Sequence, residues 1–238
     1  MRRDPNDLDR YTASERVIHW IVGISFILAG LSGLALFHPA FWPFTLLFGS
    51  STWTRILHPY FGMVMAAAFV VMAVEFWKLN RMRAADWEWL ARVGEMVSGD
   101  DQNMPEQGKY NGGQKLLFWL LVLGTALLLV SGIALWRAWF HFSVEPVRWA
   151  AVIHAATAAV MIGLIILHVY ASIWVKGTIR AMWYGTVTRP WACQHHRAWY
   201  RWMEENKASE QKLPPTGIDD SDYLTPREKI NLSLKHYI

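Results

Sequence analysis

The sequence is poor in cysteine and in charge. Cys193 is the only cysteine among 238 residues, so the chain cannot form an intrachain disulfide or hold an iron–sulfur cluster with thiolates of its own. It contains no Cys-x-x-Cys-His motif, which excludes covalent attachment of haem. Aspartate, glutamate, lysine and arginine together make up 18% of the chain. A soluble domain of this size carries more charge.

The sequence contains long apolar segments with few charged residues. Hydrophobic residues make up 53% of the chain, and four windows are long enough to span a hydrocarbon core about 30 Å thick. The windows are residues 17–37, 59–77, 116–136 and 149–175. The first apolar run begins late and is already span-length, so we expect a retained helix, not a cleaved signal peptide. The sequence therefore predicts an all-α membrane protein built as a four-helix transmembrane bundle.

Basic residues are unevenly distributed among the connecting segments. The N-terminal arm, the connection between the second and third windows and the segment after the fourth are rich in lysine and arginine, whereas the other two connections carry only Arg55, Arg137 and Arg148. The positive-inside rule assigns the rich segments to the cytoplasm. We expect a cytoplasmic arm (1–16), a transmembrane domain (17–177) with a cytoplasmic loop (78–115), and a cytoplasmic tail (178–238). No nucleic-acid-reading motif accompanies these charges, so nucleic acid is not an expected partner.

Histidines occur inside the predicted spans. His154 and His168 are fourteen residues apart in one apolar window, which on a helix gives about 21 Å of rise and stops about 40° short of four full turns. Both imidazoles therefore face the same way near opposite ends of the span. In the predicted topology His58 shares the outer level with His154, and His19 shares the inner level with His168.

Two imidazoles at one depth form the ligand set of a low-spin b-type haem, which needs a neutral imidazole on each face. We predict two non-covalent haems, one held by an outer pair (His58 and His154) and one by an inner pair (His19 and His168). Four basic residues near the membrane surfaces are candidate partners of haem propionates, namely Arg16, Arg55, Arg148 and Lys176. The alternative at each position is a histidine that only packs, or a basic residue that only anchors.

Two other classes of protein remain open on the residues alone. The four histidines are also suitable transition-metal ligands for an intramembrane metal transporter, although acidic residues are scarce in the spans and no broken-helix pair is evident. In a haem-free membrane anchor for peripheral subunits, the same histidines would only pack against neighbouring helices.

The loop 78–115 has features that a plain linker lacks. Its first part, ADWEWLARVGEMVSGDD, has apolar residues at helical spacing and predicts an amphipathic helix at the membrane surface. Tyr110, Asn111 and Gln114 then offer hydrogen-bonding groups just before the third span. Such groups suit a quinone, which needs a donor at each carbonyl, but Asn-Gly-Gly is also an ordinary turn.

In the tail, we expect His195 and His196 to form a surface pair, and the polar segment after about Lys207 to be disordered or in extended contact with a partner.

Several segments, in order along the chain, resemble the cytochrome b (gamma) subunit of membrane-bound respiratory formate dehydrogenase. They are RVIHW, SGLALF, RILHPYFG, GKYNGGQK, FW, VIHAATA, LHVYASIWVKGTIRAM and HHRAWYR, and they cover about residues 15–202. LHPYFG, KYNGGQK and WVKGTI are specific in combination. Cytochrome b subunits of nickel–iron hydrogenases or of other periplasmic oxidoreductases share the diheme plan and are the alternative, but are less expected to carry KYNGGQK.

The resemblance implies roles for individual residues. The family's outer and inner haem ligands match the outer and inner pairs defined above. Its menaquinone pocket matches Asn111, Gly113, Gln114 and the inner ligand His168, with menaquinone or ubiquinone as the substrate.

The resemblance also implies partners and a place in the cell. A catalytic molybdopterin subunit, holding molybdenum or tungsten, would oxidise formate outside the bacterial inner membrane, and an iron–sulfur subunit with a membrane anchor would collect the electrons. The present chain would not itself oxidise formate. It would anchor the complex in the lipid, transfer electrons through its two haems and reduce quinone on the cytoplasmic side. Further assembly into a trimer of heterotrimers is compatible with the resemblance.

Overall fold

Four long helices dominate the computed structural model, which describes residues 6–98 and 104–208. They are α1 (Ala13–Phe37), α2 (Ser51–Phe76), α5 (Gly112–Leu135) and α6 (Val144–Trp174). Each is long and apolar enough to cross a membrane. The predicted all-α membrane fold with four candidate transmembrane helices is therefore confirmed.

Each helix begins before the apolar window that predicted it. The difference is largest in α2, which begins at Ser51 and contains Pro59 in its interior, whereas the second window begins at Pro59. Hydropathy measures the apolar part of a helix and not its hydrogen-bonded length. A proline inside a membrane helix is tolerated because neighbouring groups satisfy the backbone carbonyl that it leaves unbonded.

Shorter elements connect the long helices. A 3-10 helix (Pro39–Phe48) lies between α1 and α2, and a 3-10 turn (Lys78–Asn80) follows α2. The remaining helices are α3 (Ala84–Ala91), α4 (Val93–Ser98), α7 (Thr178–Tyr184), α8 (Arg189–His195) and α9 (Arg197–Ala208). Two short strands, β1 (Leu8–Asp9) and β2 (Thr186–Val187), pair antiparallel with Leu8 opposite Val187.

The chain forms two compact units. The bundle unit comprises Ser14–Ala73 and Leu120–Trp174, and the loop unit comprises Met1–Ala13, Val74–Trp119 and Val175–Ile238. The loop unit thus brings together the three basic segments that the sequence assigns to one side of the membrane. The predicted division at residues 16 and 177 stays a prediction, and the tail after Lys207 lies almost wholly outside the described residues.

The core of the loop unit is aromatic. Leu8 and Val187 from the strand pair are buried together with Trp191, Trp199 and Trp202. The strand pair holds the N-terminal arm against the segment that follows α6, and α8 and α9 cover it with their tryptophans. Pairing of two short strands is weak in isolation, so burial of these large indole rings contributes to the stability of this unit.

A buried cation lies among these rings. The Arg10 guanidinium carbon lies 5.0 Å from the ring centroids of both Trp191 and Trp199, a distance at which the ring quadrupole attracts a cation. Arg10 Nη2 also lies 3.2 Å from Nε2 of His196. Only 1% of His196 is exposed, so the predicted surface pair is wrong for this residue, because the segment carrying it folds onto the N-terminal arm. His195 is partly exposed.

The predicted amphipathic helix is divided into α3 and α4. The backbone leaves the helical conformation at Arg92, whose guanidinium lies 2.8 Å from the Glu95 carboxylate at the start of α4. Trp89 is buried, whereas Trp87 and Val97 are exposed. The exposed apolar side chains are those expected to face the membrane surface. The end of the predicted helix, at residues 99–101, lies outside the described residues.

Candidate functional site

The outer pair, His58 and His154, is surrounded by side chains from all four long helices. His58 on α2 and His154 on α6 face each other with ring centroids 6.1 Å apart and ring planes inclined by 78°. Ser32 on α1 lies 2.9 Å from Nδ1 of His58, and Ser131 on α5 lies 2.9 Å from Nδ1 of His154. The structure therefore brings together the two predicted outer ligands and adds one hydroxyl group to each.

Glycines allow the outer imidazoles to lie close to the neighbouring helices. A Cβ atom on Gly33 would lie 3.1 Å from Cε1 of His58, and one on Gly132 would lie 3.3 Å from Cε1 of His154. Both distances are tighter than an ordinary van der Waals contact. The two positions therefore favour glycine, because a side chain there would displace the ring.

The inner pair connects α1 and α6. The rings of His19 and His168 have centroids 6.3 Å apart and planes inclined by 50°. Trp20 contacts the His19 ring edge-on at 5.8 Å. In the part of the chain that the structure describes, the buried Nδ1 atom of His19 has no hydrogen-bond partner. The two pairs thus differ in the polar groups around them.

The spacing of both pairs fits an iron atom between the rings. A metal bound by two opposed imidazole nitrogens at about 2 Å needs ring centroids about 6 Å apart, because each nitrogen lies about 1 Å from its ring centre. The observed distances are 6.1 and 6.3 Å. Each level offers two side-chain ligands, which a haem iron accepts because the porphyrin supplies the other four. A transporter site for zinc or a similar ion uses three or four protein ligands.

The helix surface beside the histidines is also suited to a planar group. A Cβ on Gly23, one turn after His19, would meet no atom of the described residues within 4 Å, and the same holds for Gly62, one turn after His58. A flat macrocycle needs this close approach to a helix backbone. The residues present therefore fit b-type haem at both levels.

The candidate propionate partners lie at the surface of their units. Arg55 and Lys176 are exposed and Arg16 is half-buried. Arg148 is exposed and lies 3.5 Å from the Glu145 carboxylate one helical turn before it. An exposed ion pair of this kind contributes little to stability, so Arg148 is available for another anion. The propionate role of all four residues stays a prediction.

Two of the predicted quinone residues form a capping box at the start of α5. The backbone nitrogen of Gln114 donates to Oδ1 of Asn111 at 2.9 Å, and the backbone nitrogen of Asn111 donates to Oε1 of Gln114 at 3.0 Å. Both side-chain oxygens are therefore used by the backbone. Each side-chain NH₂ is a donor, which is the type of group that a quinone carbonyl accepts from. This reciprocal capping could have been recognised in the sequence as Asn-x-x-Gln before an apolar run.

The glycines between these residues allow close packing onto α3. A Cβ on Gly112 would lie 2.5 Å from the backbone oxygen of Asp86, and one on Gly113 would lie 3.0 Å from Cζ3 of Trp89. The segment KYNGGQK therefore fixes the start of α5 against α3, in addition to any role toward quinone. The quinone-binding role of Asn111, Gly113 and Gln114 stays a prediction, as does that of His168 in the bundle unit.

A buried ion pair lies next to this segment and could not be predicted from the sequence. Lys115 Nζ lies 2.8 Å from Oδ2 of Asp86, with less than a tenth of either side chain exposed. Both residues line a cavity of about 210 Å³ in the loop unit, together with Tyr110 and Lys109. In the sequence Lys115 is one of several basic residues of the loop 78–115, and its partner lies 29 positions earlier in the chain.

Four apolar helices that bring together two pairs of histidines are the arrangement expected of a membrane-bound cytochrome b. The family model described as prokaryotic cytochrome b561 matches residues 10–185. The chain belongs to the prokaryotic cytochrome b561 family, and membership implies b-type haem.

Similar proteins carry more specific names. The chain is 41% identical over 213 residues to the formate dehydrogenase cytochrome b556(fdo) subunit of Escherichia coli strain K12, covering 89% of this chain and 98% of that protein. It is 39% identical over 199 residues to the nitrate-inducible formate dehydrogenase cytochrome b556(Fdn) subunit of the same strain, covering 83% and 92%. It is 37% identical over 206 residues to the formate dehydrogenase cytochrome b556 subunit of Haemophilus influenzae, covering 86% and 87%.

Proposed function

We propose that this chain is the diheme cytochrome b subunit of a membrane-bound formate dehydrogenase, and that it transfers electrons from an iron–sulfur partner to quinone. The observation that carries the proposal is the spacing of the two imidazole pairs, 6.1 and 6.3 Å between ring centroids. Relatives that align over most of both chains are formate dehydrogenase subunits. Their names favour formate dehydrogenase over the hydrogenase alternative.

The four histidines would hold the two haems as axial ligands. When bound, b-type haem supplies an iron that accepts and releases one electron at a time. The chain's own contribution would be to hold the four imidazoles in two close pairs between apolar helices. The two pairs share α6, where fourteen residues between His154 and His168 correspond to about 21 Å along the helix axis. At this separation the two haems would be successive electron carriers across the membrane.

The composition of the loop unit favours placing both termini on the same side of the membrane. Its members, the N-terminal arm, the α2–α5 connection and the segment after α6, pack together and carry most of the basic residues between the spans. The positive-inside rule assigns that side to the cytoplasm. We propose that the protein lies in the bacterial inner membrane with both termini cytoplasmic.

Quinone reduction would take place on the same side. Asn111 and Gln114 would offer side-chain NH₂ donors. The family resemblance adds Gly113, which lies between them at the start of α5, and the inner ligand His168. Reduction of a quinone to a quinol also consumes two protons. The ionisable groups that line the cavity beside this segment, Asp86 and Lys115 among them, would take them up from the cytoplasm. Either menaquinone or ubiquinone fits this chemistry.

The proposed partners follow from the relatives' names. A catalytic molybdopterin subunit with molybdenum or tungsten would oxidise formate, and an iron–sulfur subunit with a membrane anchor would deliver the electrons to the outer pair. This chain would oxidise no formate itself. A trimer of heterotrimers is the further assembly that we propose to look for.

The experiment is a reduced-minus-oxidised visible spectrum of the purified complex, combined with two histidine variants. We expect two b-type haems per chain in the wild type, loss of one haem in His58→Ala and loss of the other in His168→Ala. Both variants should retain formate oxidation with a soluble dye and lose quinone reduction. A colourless protein, or equal loss of dye-linked and quinone-linked activity, would contradict the proposal.

A further inference from the structure

A Ser-Gly dipeptide occurs twice beside the outer pair. Ser32-Gly33 lies in the segment SGLALF of α1, and Ser131-Gly132 lies in the closely similar segment SGIALW at the end of α5. In each copy the serine oxygen contacts Nδ1 of one outer histidine and the glycine faces Cε1 of the same ring. Two different helices therefore present the same pair of residues to the two outer imidazoles.

The hydrogen bonds of each serine determine which atom donates. Ser32 Oγ lies 2.7 Å from the Leu28 carbonyl oxygen, and a carbonyl only accepts, so the hydroxyl hydrogen points to Leu28. The remaining lone pair of Oγ then accepts from Nδ1–H of His58 at 2.9 Å. The proton of the neutral imidazole is thereby fixed on Nδ1, and Nε2 keeps a lone pair for a metal.

The second copy has the same arrangement. Ser131 Oγ lies 2.6 Å from the Leu127 carbonyl oxygen and 2.9 Å from Nδ1 of His154. The hydroxyl donates to its own helix and accepts from the imidazole. Each outer histidine is therefore held as the tautomer that ligates through Nε2.

The glycine of each dipeptide restricts how the ring turns. The Cε1 atoms lie so near the backbone at Gly33 and Gly132 that an added Cβ would come within 3.1 and 3.3 Å of them. A ring that is bonded at Nδ1 and packed at Cε1 has little freedom to rotate.

The inner pair differs from the outer pair at His19. Within residues 6–98 and 104–208, Nδ1 of His19 is buried without a hydrogen-bond acceptor. An imidazole whose Nδ1–H is accepted by another group is a more basic ligand than one whose Nδ1–H is not. A more basic axial ligand stabilises ferric iron relative to ferrous iron, which lowers the reduction potential.

We infer that Ser32 and Ser131 are positioning residues that orient the outer histidines and hold the reduction potential of the outer haem below that of the inner haem. The inference rests on the proposed function, since it assumes that the outer pair ligates haem. A lower potential outside than inside favours electron movement inward, toward the proposed quinone site. The two serines would thereby set the direction of transfer without contacting the iron.

The experiment compares serine variants by potentiometric titration of the haem absorbance in the purified complex. The variants are Ser32→Ala, Ser131→Ala, their double combination and the conservative Ser32→Thr, which keeps a hydroxyl. Ser172→Ala is the matched control, because the Ser172 hydroxyl donates to the Val169 carbonyl of α6 about 27 Å along the helix from His154. The outer haem is identified as the one that His58→Ala removes.

Each alanine substitution should raise the reduction potential of the outer haem and leave the inner haem unchanged. At the wild-type midpoint potential, the ratio of reduced to oxidised outer haem should rise about two- to tenfold per serine, the range that one hydrogen bond is worth. The low-spin ferric EPR signal of the outer haem, whose anisotropy depends on the angle between the imidazole planes, should also shift. Ser32→Thr and Ser172→Ala should resemble the wild type.

Two kinds of result would overturn the inference. One is an outer haem whose potential and EPR signal are unchanged in the double variant, and the other is an equal shift of both haems. If an alanine variant loses the outer haem, retention by Ser32→Thr supports a positioning hydroxyl, whereas loss in Ser32→Thr or Ser172→Ala contradicts it. Failure of the proposed function is recognised separately, because then His58→Ala and His168→Ala would each leave the haem content unchanged.

Discussion

Arg10 donates a hydrogen bond to the backbone carbonyl of Lys109, a residue 99 positions further along the chain. The same guanidinium lies against Trp191 and Trp199, beyond the last long helix. One buried side chain thus joins the N-terminal arm, the connection before α5 and the segment after α6. This connection precedes Asn111 and Gln114, so the packing of Arg10 also bears on the position of the proposed quinone-binding residues.

Replacing Arg10 with alanine should loosen the loop unit. The substitution removes two hydrogen bonds from a charged donor and four cation–π contacts, at a residue that is only 2% exposed. Losses of this kind are worth about 2–4 kcal/mol together. We expect a lower thermal unfolding temperature in detergent and faster tryptic cleavage of the N-terminal arm. The matched control is Arg197→Ala, since Arg197 is exposed; equal effects of the two variants would contradict the structural role of Arg10.

The stability of the loop unit should decrease in mild acid because of His196. Its Nδ1–H donates to the Gly108 carbonyl at 2.7 Å, so Nε2 accepts from Arg10. Burial, and then the neighbouring charge of Arg10, hold the pKa of His196 well below its ordinary value of 6.5. In the unfolded chain the imidazole binds a proton near pH 6.5, whereas the folded chain binds it only at a lower pH. The unfolded state therefore holds more protons in that window, and stability rises with pH until it levels off above about 6.5.

A His196→Asn variant isolates this contribution from other titrating groups. The asparagine amide keeps a donor for the Gly108 carbonyl but does not titrate. We expect the unfolding temperature of the wild type to fall between about pH 7 and pH 5 by more than that of the variant. Parallel curves over this range would show that His196 is not the titrating group.

Removing only the lysine of the Asp86–Lys115 pair should lower the stability of the loop unit more than removing both charges does. Lys115→Met leaves a buried carboxylate without its cation, although Asp86 still accepts from the Arg83 backbone nitrogen at 2.8 Å. Breaking a buried pair in this way costs about 3–5 kcal/mol. Adding Asp86→Asn removes the unpaired charge while keeping an acceptor for Arg83, so the double variant should recover part of the loss. Unfolding temperatures of the four proteins test this, and simple additivity of the two effects would contradict it.

The number and approximate position of the four spans could be predicted because hydropathy is a local property of the sequence, whereas the start of each helix lies before its apolar window. The same local reasoning predicted the pairing of His58 with His154 and of His19 with His168, whose rings lie together in the structure. Their depth in a membrane stays a prediction. Contacts such as Ser32 with His58, or Arg10 with His196, depend on helix rotation and on the folding of distant segments. No local pattern contains that information. The break at Arg92 was missed because the apolar spacing of the segment continues through it, and only Gly94 weakens the helix there.

The capping box at the start of α5 allows its structural role to be separated from a role toward quinone. Asn111→Asp keeps the oxygen that accepts from the Gln114 backbone nitrogen, and its charge is favourable at a helix N-terminus. It removes the NH₂ group that we propose as a quinone donor. Asn111→Ala removes both functions, and loss of an N-cap costs about 1 kcal/mol. We therefore expect Asn111→Asp to keep the wild-type unfolding temperature and Asn111→Ala to lower it.

Both variants should raise the KM for quinone while dye-linked formate oxidation stays unchanged. The aspartate variant is the decisive one, because its helix start is intact and any defect in quinone reduction then reports the missing NH₂ donor. Wild-type kinetics with quinone in Asn111→Asp, alongside a defect in Asn111→Ala, would mean that this residue acts only as a helix cap. In that case the donors to the quinone carbonyls would have to come from residues other than Asn111.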